Sequence, residues 1–197
     1  MAFVRYCLYC ECHLLFCSTA TSPGNSIPGT ANASKLKNAR KANANSNIPQ
    51  KFANIIKKGG VDLDDNILEA EKLSLADWKG KVESGGDWDY KVQLLGLGIS
   101  KSDLDDFGNW HFGVVAGAQG FGLAASMYGA GAYQVLKQGG GNSLEFAAAT
   151  NLMAVTFGGA ALPNSQARNL TRGGFSWGDN PGDAINIMNG WDYYDSK

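Results

Sequence analysis

FGNWHFGVVAGAQGFGLAASMYGAGAYQVL, residues Phe107 to Leu136, carries no acidic or basic side chain apart from His111. Between Phe112 and Tyr133 only Gln119 and Ser126 are polar. That length matches a membrane span of about 20 residues, and its small residues would permit close helix crossing. Yet Gly and Ala dilute its hydrophobicity, and Leu and Ile are scarce. The stretch therefore predicts a central helix buried within a soluble domain rather than a membrane span. A membrane-inserting or pore-forming segment over 112–133 is the competing reading.

On both sides of this stretch the apolar residues recur at helical spacing. Upstream, Pro49 opens a helix with Phe52, Ile55 and Ile56 on one face, and Gly59-Gly60 stops it. Asp64 is placed to cap a short helix carrying Ile67, Leu68 and Leu73. Ser74, with Asp77 three residues on, caps another that carries Leu75, Trp78 and Val82 and ends at Gly85-Gly86. Trp88 to Leu95 fits a short strand or the start of a helix. Downstream, Gly139-Gly140-Gly141 closes the central helix. Asn142 or Ser143 then caps a helix running to about Phe157, with Leu144, Phe146, Ala147, Leu152 and Val155 apolar. Gly158 to Gly174 reads as a loop holding Arg168 and Arg172, and Asp183 to Asn189 as a short final helix. The expected fold is mainly α, with small irregular β elements, in one compact domain around the Gly/Ala-rich helix.

The chain has 197 residues, 44% of them hydrophobic, with a formal net charge of -1. A core is feasible, and nothing suggests broad electrostatic capture of nucleic acid or anionic lipid. Glycine, at 26 residues, runs well above average use and marks tight backbone approaches. Cys7, Cys10, Cys12 and Cys17 all fall in the first seventeen residues. With His13 they resemble a metal motif, but no second pair follows at zinc spacing. A secretory signal over 1–20 is the stronger reading, with Arg5 as n-region, Leu8 to Phe16 as an h-region interrupted by Glu11 and His13, and Ser18-Thr19-Ala20 as cleavage site. Thr19 to Asn47, with Lys35, Lys37, Arg40 and Lys41, reads as a flexible basic linker. Residues 1–48 are thus expected to be signal-like or disordered, and 49–197 to form the domain, which without cysteine needs no disulfide.

Two polar clusters carry the chemistry. DDFGNWHFG, Asp105 to Gly113, holds two carboxylates, an amide and an imidazole within nine residues. GDNPGD, Gly178 to Asp183, places Asp179 and Asp183 four residues apart around a Pro-Gly turn. His111 is the one histidine outside the N-terminal segment, which makes it a candidate proton-transfer group. It also reads as a structural histidine inside a glycine-rich turn. Asp183 can simply cap the last helix. The pair Asp179 and Asp183 could also bind a divalent cation, or supply the acid of a glycan hydrolase, with Glu83, Asp89 or Glu145 as second carboxylate. Trp88, Tyr90, Trp110, Trp177, Trp191, Tyr193 and Tyr194 lie near these motifs and suit stacking on bases or sugars as well as packing.

Taken in order, ADWKGKV (Ala76 to Val82), WDYK (Trp88 to Lys91), DFGNWHFGVVAGAQG (Asp106 to Gly120), GAGAYQ (Gly129 to Gln134) and GDNPGDAINIMNGWDYY (Gly178 to Tyr194) resemble the polymorphic toxin type 44 domain, bacterial toxin 44. The resemblance covers roughly Pro49 to Tyr194. It implies an effector used in conflict between microbes, secreted or delivered into a target cell and paired with a cognate immunity protein. The expected reaction is RNA cleavage without metal or cofactor. His111 is the expected base or acid, Asp106 or Asp179 its partner, Lys91 or Arg172 the phosphate ligand and Asn109 the donor to an oxyanion. Asp89, Trp110, Arg172 and Asp183 are the expected substrate-binding residues. Peptidoglycan is the alternative substrate.

Overall fold

The computed structural model describes residues 48–157 and 162–197, with backbone only for 154–157. Residues 1–47 lie outside the described residues, and with them Cys7, Cys10, Cys12, His13 and Cys17, the signal-like segment and the basic linker, as does the side chain of Val155.

Helices alone form the regular structure of the described residues: α1 (Gln50–Gly59), α2 (Leu63–Ala70), α3 (Leu75–Val82), α4 (Tyr90–Gln93), α5 (Lys101–Ala118), α6 (Leu123–Tyr133), α7 (Ser143–Phe157), α8 (Asn164–Arg172) and α9 (Asp183–Asp195). The small β elements are not found among them. Trp88 to Leu95 resolves as the single turn α4, and the stretch from Gly158 holds helix α8 rather than loop alone.

Local chemistry sets the boundaries. The Ser74 and Ser100 hydroxyls accept the Asp77 and Asp103 backbone N–H groups and donate back to the same aspartates at 2.6 Å, a reciprocal cap worth about 1 kcal/mol. Asp62, two residues earlier than expected, caps α2 by accepting from Asp65 N–H at 3.0 Å. Asn142 caps α7 through Glu145 N–H at 3.1 Å. The central helix differs most from expectation. It begins at Lys101, so DDFGNWHFG is helical, and it ends at Ala118. Gly120 then turns the chain at φ +94°, and Leu123 starts α6. A π turn over Gln134–Gln138 extends α6 to Gly139, at φ +69°.

α5 runs through the middle, with one apolar cluster on each side. Phe52, Leu63, Ile67, Trp78, Trp88 and Tyr90 pack with its Phe107 and Trp110. Leu123, Met127, Met153, Trp177, Ile187 and Met188 form the second cluster, and Phe112 packs against both. α9 crosses α5 closely. A Cβ at Gly113 would stand 2.0 Å from Ile187 O, and one at Gly190 would stand 1.9 Å from Trp110 O. Only glycine admits that approach, which lets Asp183 and Asn186 on α9 face Asp105 and Asp106 on α5.

Candidate functional site

His111 lies on α5 and is 1% exposed. Tyr90 stands edge-on to it at 4.7 Å and Trp88 at 5.9 Å, and Phe107 is tilted against it at 6.1 Å. Its Nε2 is 3.0 Å from Asn66 Nδ2. An amide NH₂ donates only, so Nε2 is the acceptor and the ring is the neutral Nδ1–H tautomer. Burial pushes the His111 pKa down to about 3. The ring is thus neutral at physiological pH, inside an aromatic box, with its Nε2 lone pair committed. The expectation of a histidine in a glycine-rich turn is corrected: the residue sits mid-helix.

Asp179 sits in a loop whose backbone is held from every side. Trp177 adopts φ +61°, a left-handed conformation that costs a bulky residue about 1–2 kcal/mol. Its fully buried indole anchors it, donating from Nε1 to Thr171 Oγ1 at 2.9 Å. A Cβ at Gly131 on α6 would be 2.1 Å from Trp177 O, so the loop lies directly on that helix. Gly178 O accepts Asn142 N–H at 3.0 Å, and Ser176 N–H donates to the Glu145 carboxylate. Glu145 is therefore a strut of this loop.

The carboxyl held there is 4% exposed. Burial raises the Asp179 pKa to about 6, with the charge and hydrogen bonding of Asp183 adding to the rise, against the Asn180 N–H and the charge of Lys91. The Asp183 pKa is also raised, first by burial and then by Asp105 and Asp106, with Lys91 and the Asn180 side chain opposing. Lys91 comes from α4. Its stem lies over Gly108, where a Cβ would stand 2.7 Å from Lys91 Cγ, and its ammonium donates to Asn109 Oδ1 at 2.8 Å. Asn109 is 7% exposed, and its Nδ2 has no hydrogen-bond partner among the described residues. Asp106 is bound by Lys51 at 2.6 Å and by Asn186 Nδ2 at 2.9 Å. Asp105 pairs with Lys101 at 2.7 Å.

The fold thus brings Lys91, Asn109, Asp179 and Asp183 together, with Asp105 and Asp106 at their edge. Other expected site residues lie elsewhere or serve the frame. Trp110 is 1% exposed and packs on Phe52, Phe107 and Tyr193; its truncation to alanine costs about 3–5 kcal/mol. Asp89 accepts Gly85 N–H at 2.9 Å and closes the turn before α4. Glu83 pairs with Lys79 at 2.6 Å. Arg172 is exposed at the end of α8. Among the described residues no three His, Cys, Asp or Glu side chains are grouped to hold a metal ion. No described helix is long and apolar enough to cross a membrane.

Asn66, Lys51, Asn180 and Asn186 are the polar contacts that the sequence reading left out. Asn66 had a signal: it falls on the same α2 stripe as the buried Leu63, Ile67 and Ala70, and a polar residue in an apolar stripe calls for a buried partner.

The family model for bacterial toxin 44 matches residues 98–196. The chain belongs to the bacterial toxin 44 family. The bacterial toxin 44 match includes α5 to α9 and hence Asp105, Asp106, Asn109, Asp179 and Asp183. Lys91, Tyr90 and Asn66 come from the segment ahead of it. The chain is therefore a bacterial toxin effector domain, to which residues before 98 add one side of the site. No curated protein and no solved structure matches it.

Proposed function

We propose that this bacterial toxin 44 domain is a ribonuclease whose proton-transfer group is Asp179. The observation that carries the reading is a 4% exposed carboxyl poised near neutral pH, beside a second carboxyl, an ammonium and an unpartnered amide. Cleavage of RNA at its own 2′-hydroxyl needs a base, a cation for the phosphate and a donor to the developing oxyanion. With a pKa of about 6, Asp179 is mostly carboxylate at pH 7 and takes the 2′-hydroxyl proton. The 2′ oxygen forms its bond to phosphorus, and the bond from phosphorus to the 5′ oxygen breaks. The leaving 5′ oxygen takes its proton from solvent, which reaches the half-buried Asp183. Lys91 neutralises the non-bridging oxygens, and Asn109 Nδ2 donates to one of them. His111, neutral and boxed, transfers no proton in this step.

One observation favours a second reading. Asp105, Asp106, Asp179 and Asp183 outnumber Lys51, Lys91 and Lys101 around the site, a balance that suits an uncharged glycan better than a polyanion. A peptidoglycan hydrolase would use Asp179 as acid. Its second carboxylate would be Asp105 or Asp106, because Asp179 and Asp183 lie within hydrogen-bonding reach, closer than the roughly 5–9.5 Å that glycosidase pairs keep.

The toxin is read as acting inside a target cell, after secretion or delivery, and as held in check by a cognate immunity protein. Residues 49–197 are read as the toxin domain, and 1–48 as a signal-like or linking segment. Expression in bacteria with and without an export signal, followed by gels of total RNA, separates the two substrates. Degraded RNA with the cytoplasmic form, absent for Asp179→Asn, is the expected result. Death with intact RNA, only on export, would overturn the ribonuclease reading.

A further inference from the structure

We propose that Asn66 is a positioning residue of the site: one amide group ties Tyr90 to His111 and thereby sets Lys91 over Gly108 and against Asn109. In its activity arm this rests on the ribonuclease reading; in its structural arm it does not.

The geometry starts from a weakness. α4 is four residues long, and a single turn has no stability of its own. Its placement must come from contacts, and the contact next to Lys91 is Tyr90. The Tyr90 ring packs on Phe107 at 5.6 Å and edge-on to His111 at 4.7 Å, both on α5. Its phenol oxygen accepts from Asn66 Nδ2 at 2.8 Å, while the other hydrogen of that NH₂ is directed to His111 Nε2 at 3.0 Å. A single NH₂ has two hydrogens, and here both are used, on two acceptors from two helices. Asn66 therefore couples α2, α4 and α5 at one point. Lys91, the next residue along α4, crosses Gly108 with less than van der Waals room for a methyl group and reaches Asn109. A rotation of this one turn would move the ammonium away from Asp179 and Asp183.

This also explains what the only histidine of the domain does. Its neutral Nε2 is the second anchor of the Asn66 amide, so the imidazole acts on the site through Asn66, Tyr90 and Lys91. Asn66, Tyr90 and Lys91 all precede residue 98, where the family match begins.

The test uses the full chain with Asn66→Leu, which keeps the branched four-atom side chain, though bulkier, and removes the NH₂, and Tyr90→Phe, which removes only the oxygen. Three quantities are read: the melting transition, the Asp179 titration midpoint by carboxyl-carbon NMR, and kcat and KM on a defined RNA. In a cooperatively folded Asn66→Leu protein the Asp179 midpoint should rise, because the Lys91 charge that holds it down has moved. The value of kcat should fall about tenfold or more, with a smaller change in the same direction for Tyr90→Phe. A folded Asn66→Leu protein with an unmoved midpoint and unmoved kcat overturns the proposal, leaving Asn66 as packing only. Should Asn66→Leu fail to fold, Tyr90→Phe decides by the same two readouts. If the wild-type chain cleaves no RNA, the ribonuclease reading fails, and the Asp179 midpoint alone still decides whether Asn66 positions Lys91.

Discussion

His111 and Asp179 are both titratable and both almost wholly buried, yet burial gives them opposite standing. Removing water disfavours the charged form of either group. For the imidazole that form is the protonated one, so its pKa falls to about 3, well below any physiological pH. For the carboxyl it is the deprotonated one, so its pKa rises to about 6, where proton exchange is useful. The surroundings differ in the same sense. Aromatic rings and a satisfied amide enclose His111, while a second carboxyl, an ammonium and an unsatisfied amide surround Asp179. A lone histidine in a sequence draws the eye because its ordinary pKa lies near 7. The structure shows that an ordinary pKa says little about a group whose solvent has been removed.

Both regions depend on the α5–α9 crossing, so the largest effect should come from breaking it. Gly190→Ala puts a methyl group 1.9 Å from Trp110 O, against backbone that cannot yield locally. We expect a loss of about 3 kcal/mol or more, seen as a fall in melting temperature and loss of both environments together. Gly113→Ala, facing Ile187 O, should do the same.

Next in size is Asp179→Asn, which separates the two centres. Activity should fall about 10²–10⁴-fold, the usual worth of a proton-transfer group, while the fold persists. The change also removes a carboxylate that burial disfavours. Its pKa rises from 3.8 to about 6, which corresponds to about 3 kcal/mol at pH 7. Asp179→Asn should thus be as stable as the wild type or more so, up to that limit. An inactive but destabilised variant would instead make Asp179 a structural acid.

The pH dependence of stability sharpens the same contrast. Native Asp179 holds its proton at pH values where the unfolded chain has lost it, so its contribution is full below about 4 and is lost as pH rises through about 6. Native His111 refuses a proton that the unfolded chain accepts, so its contribution is full above about 6.5 and is lost as pH falls toward 3. Between pH 4 and 6 the two slopes oppose. Across that window, relative to the wild type, the melting temperature should climb more steeply with pH in Asp179→Asn and turn downward with pH in His111→Gln. Equal slopes in all three proteins would remove the burial argument for both residues. In activity, His111→Gln should lose only about tenfold, because glutamine still offers Asn66 an acceptor; a loss on the scale of Asp179→Asn would return the base role to His111.

The parts of the fold that were legible in the sequence are those set by local chemistry. Ser74 with Asp77, and the apolar spacing around Phe52 and Trp78, mark helices because caps and stripes act within one turn. Asp105 to Gly113 was not legible as helix, because a segment holding Gly108 and Gly113 read as a glycine-rich turn. Both are instead demanded by distant partners, the Lys91 stem and Ile187 O. The Gly120 break was hidden for the converse reason: among so many glycines, nothing local marks the one at φ +94°. In the site, the sequence showed which carboxylates were available but not which were buried. Solvent exclusion is what distinguishes Asp179 from Asp89, and it depends on Trp177, Gly131 and Glu145, residues far apart in the chain.

The smallest predicted effect tests the finest point of the comparison, that Lys91 belongs to the Asp179 centre by way of Gly108. A methyl group at Gly108 would meet the flexible stem of Lys91 at 2.7 Å, not backbone, and alanine favours a helix interior over glycine by about 1 kcal/mol. Gly108→Ala should therefore melt within about 1 kcal/mol of the wild type. The displaced lysine, however, can no longer reach Asn109 as it does at 2.8 Å. A fall of about threefold to tenfold in kcat/KM, with an upward shift of the Asp179 midpoint, is expected. Lys91→Met should reproduce that midpoint shift at larger size, and Gly108→Ala combined with Lys91→Met should add nothing further to it, since both act on the same ammonium. Additive shifts would show that Gly108 matters to the carboxyl pair by a route that does not pass through Lys91.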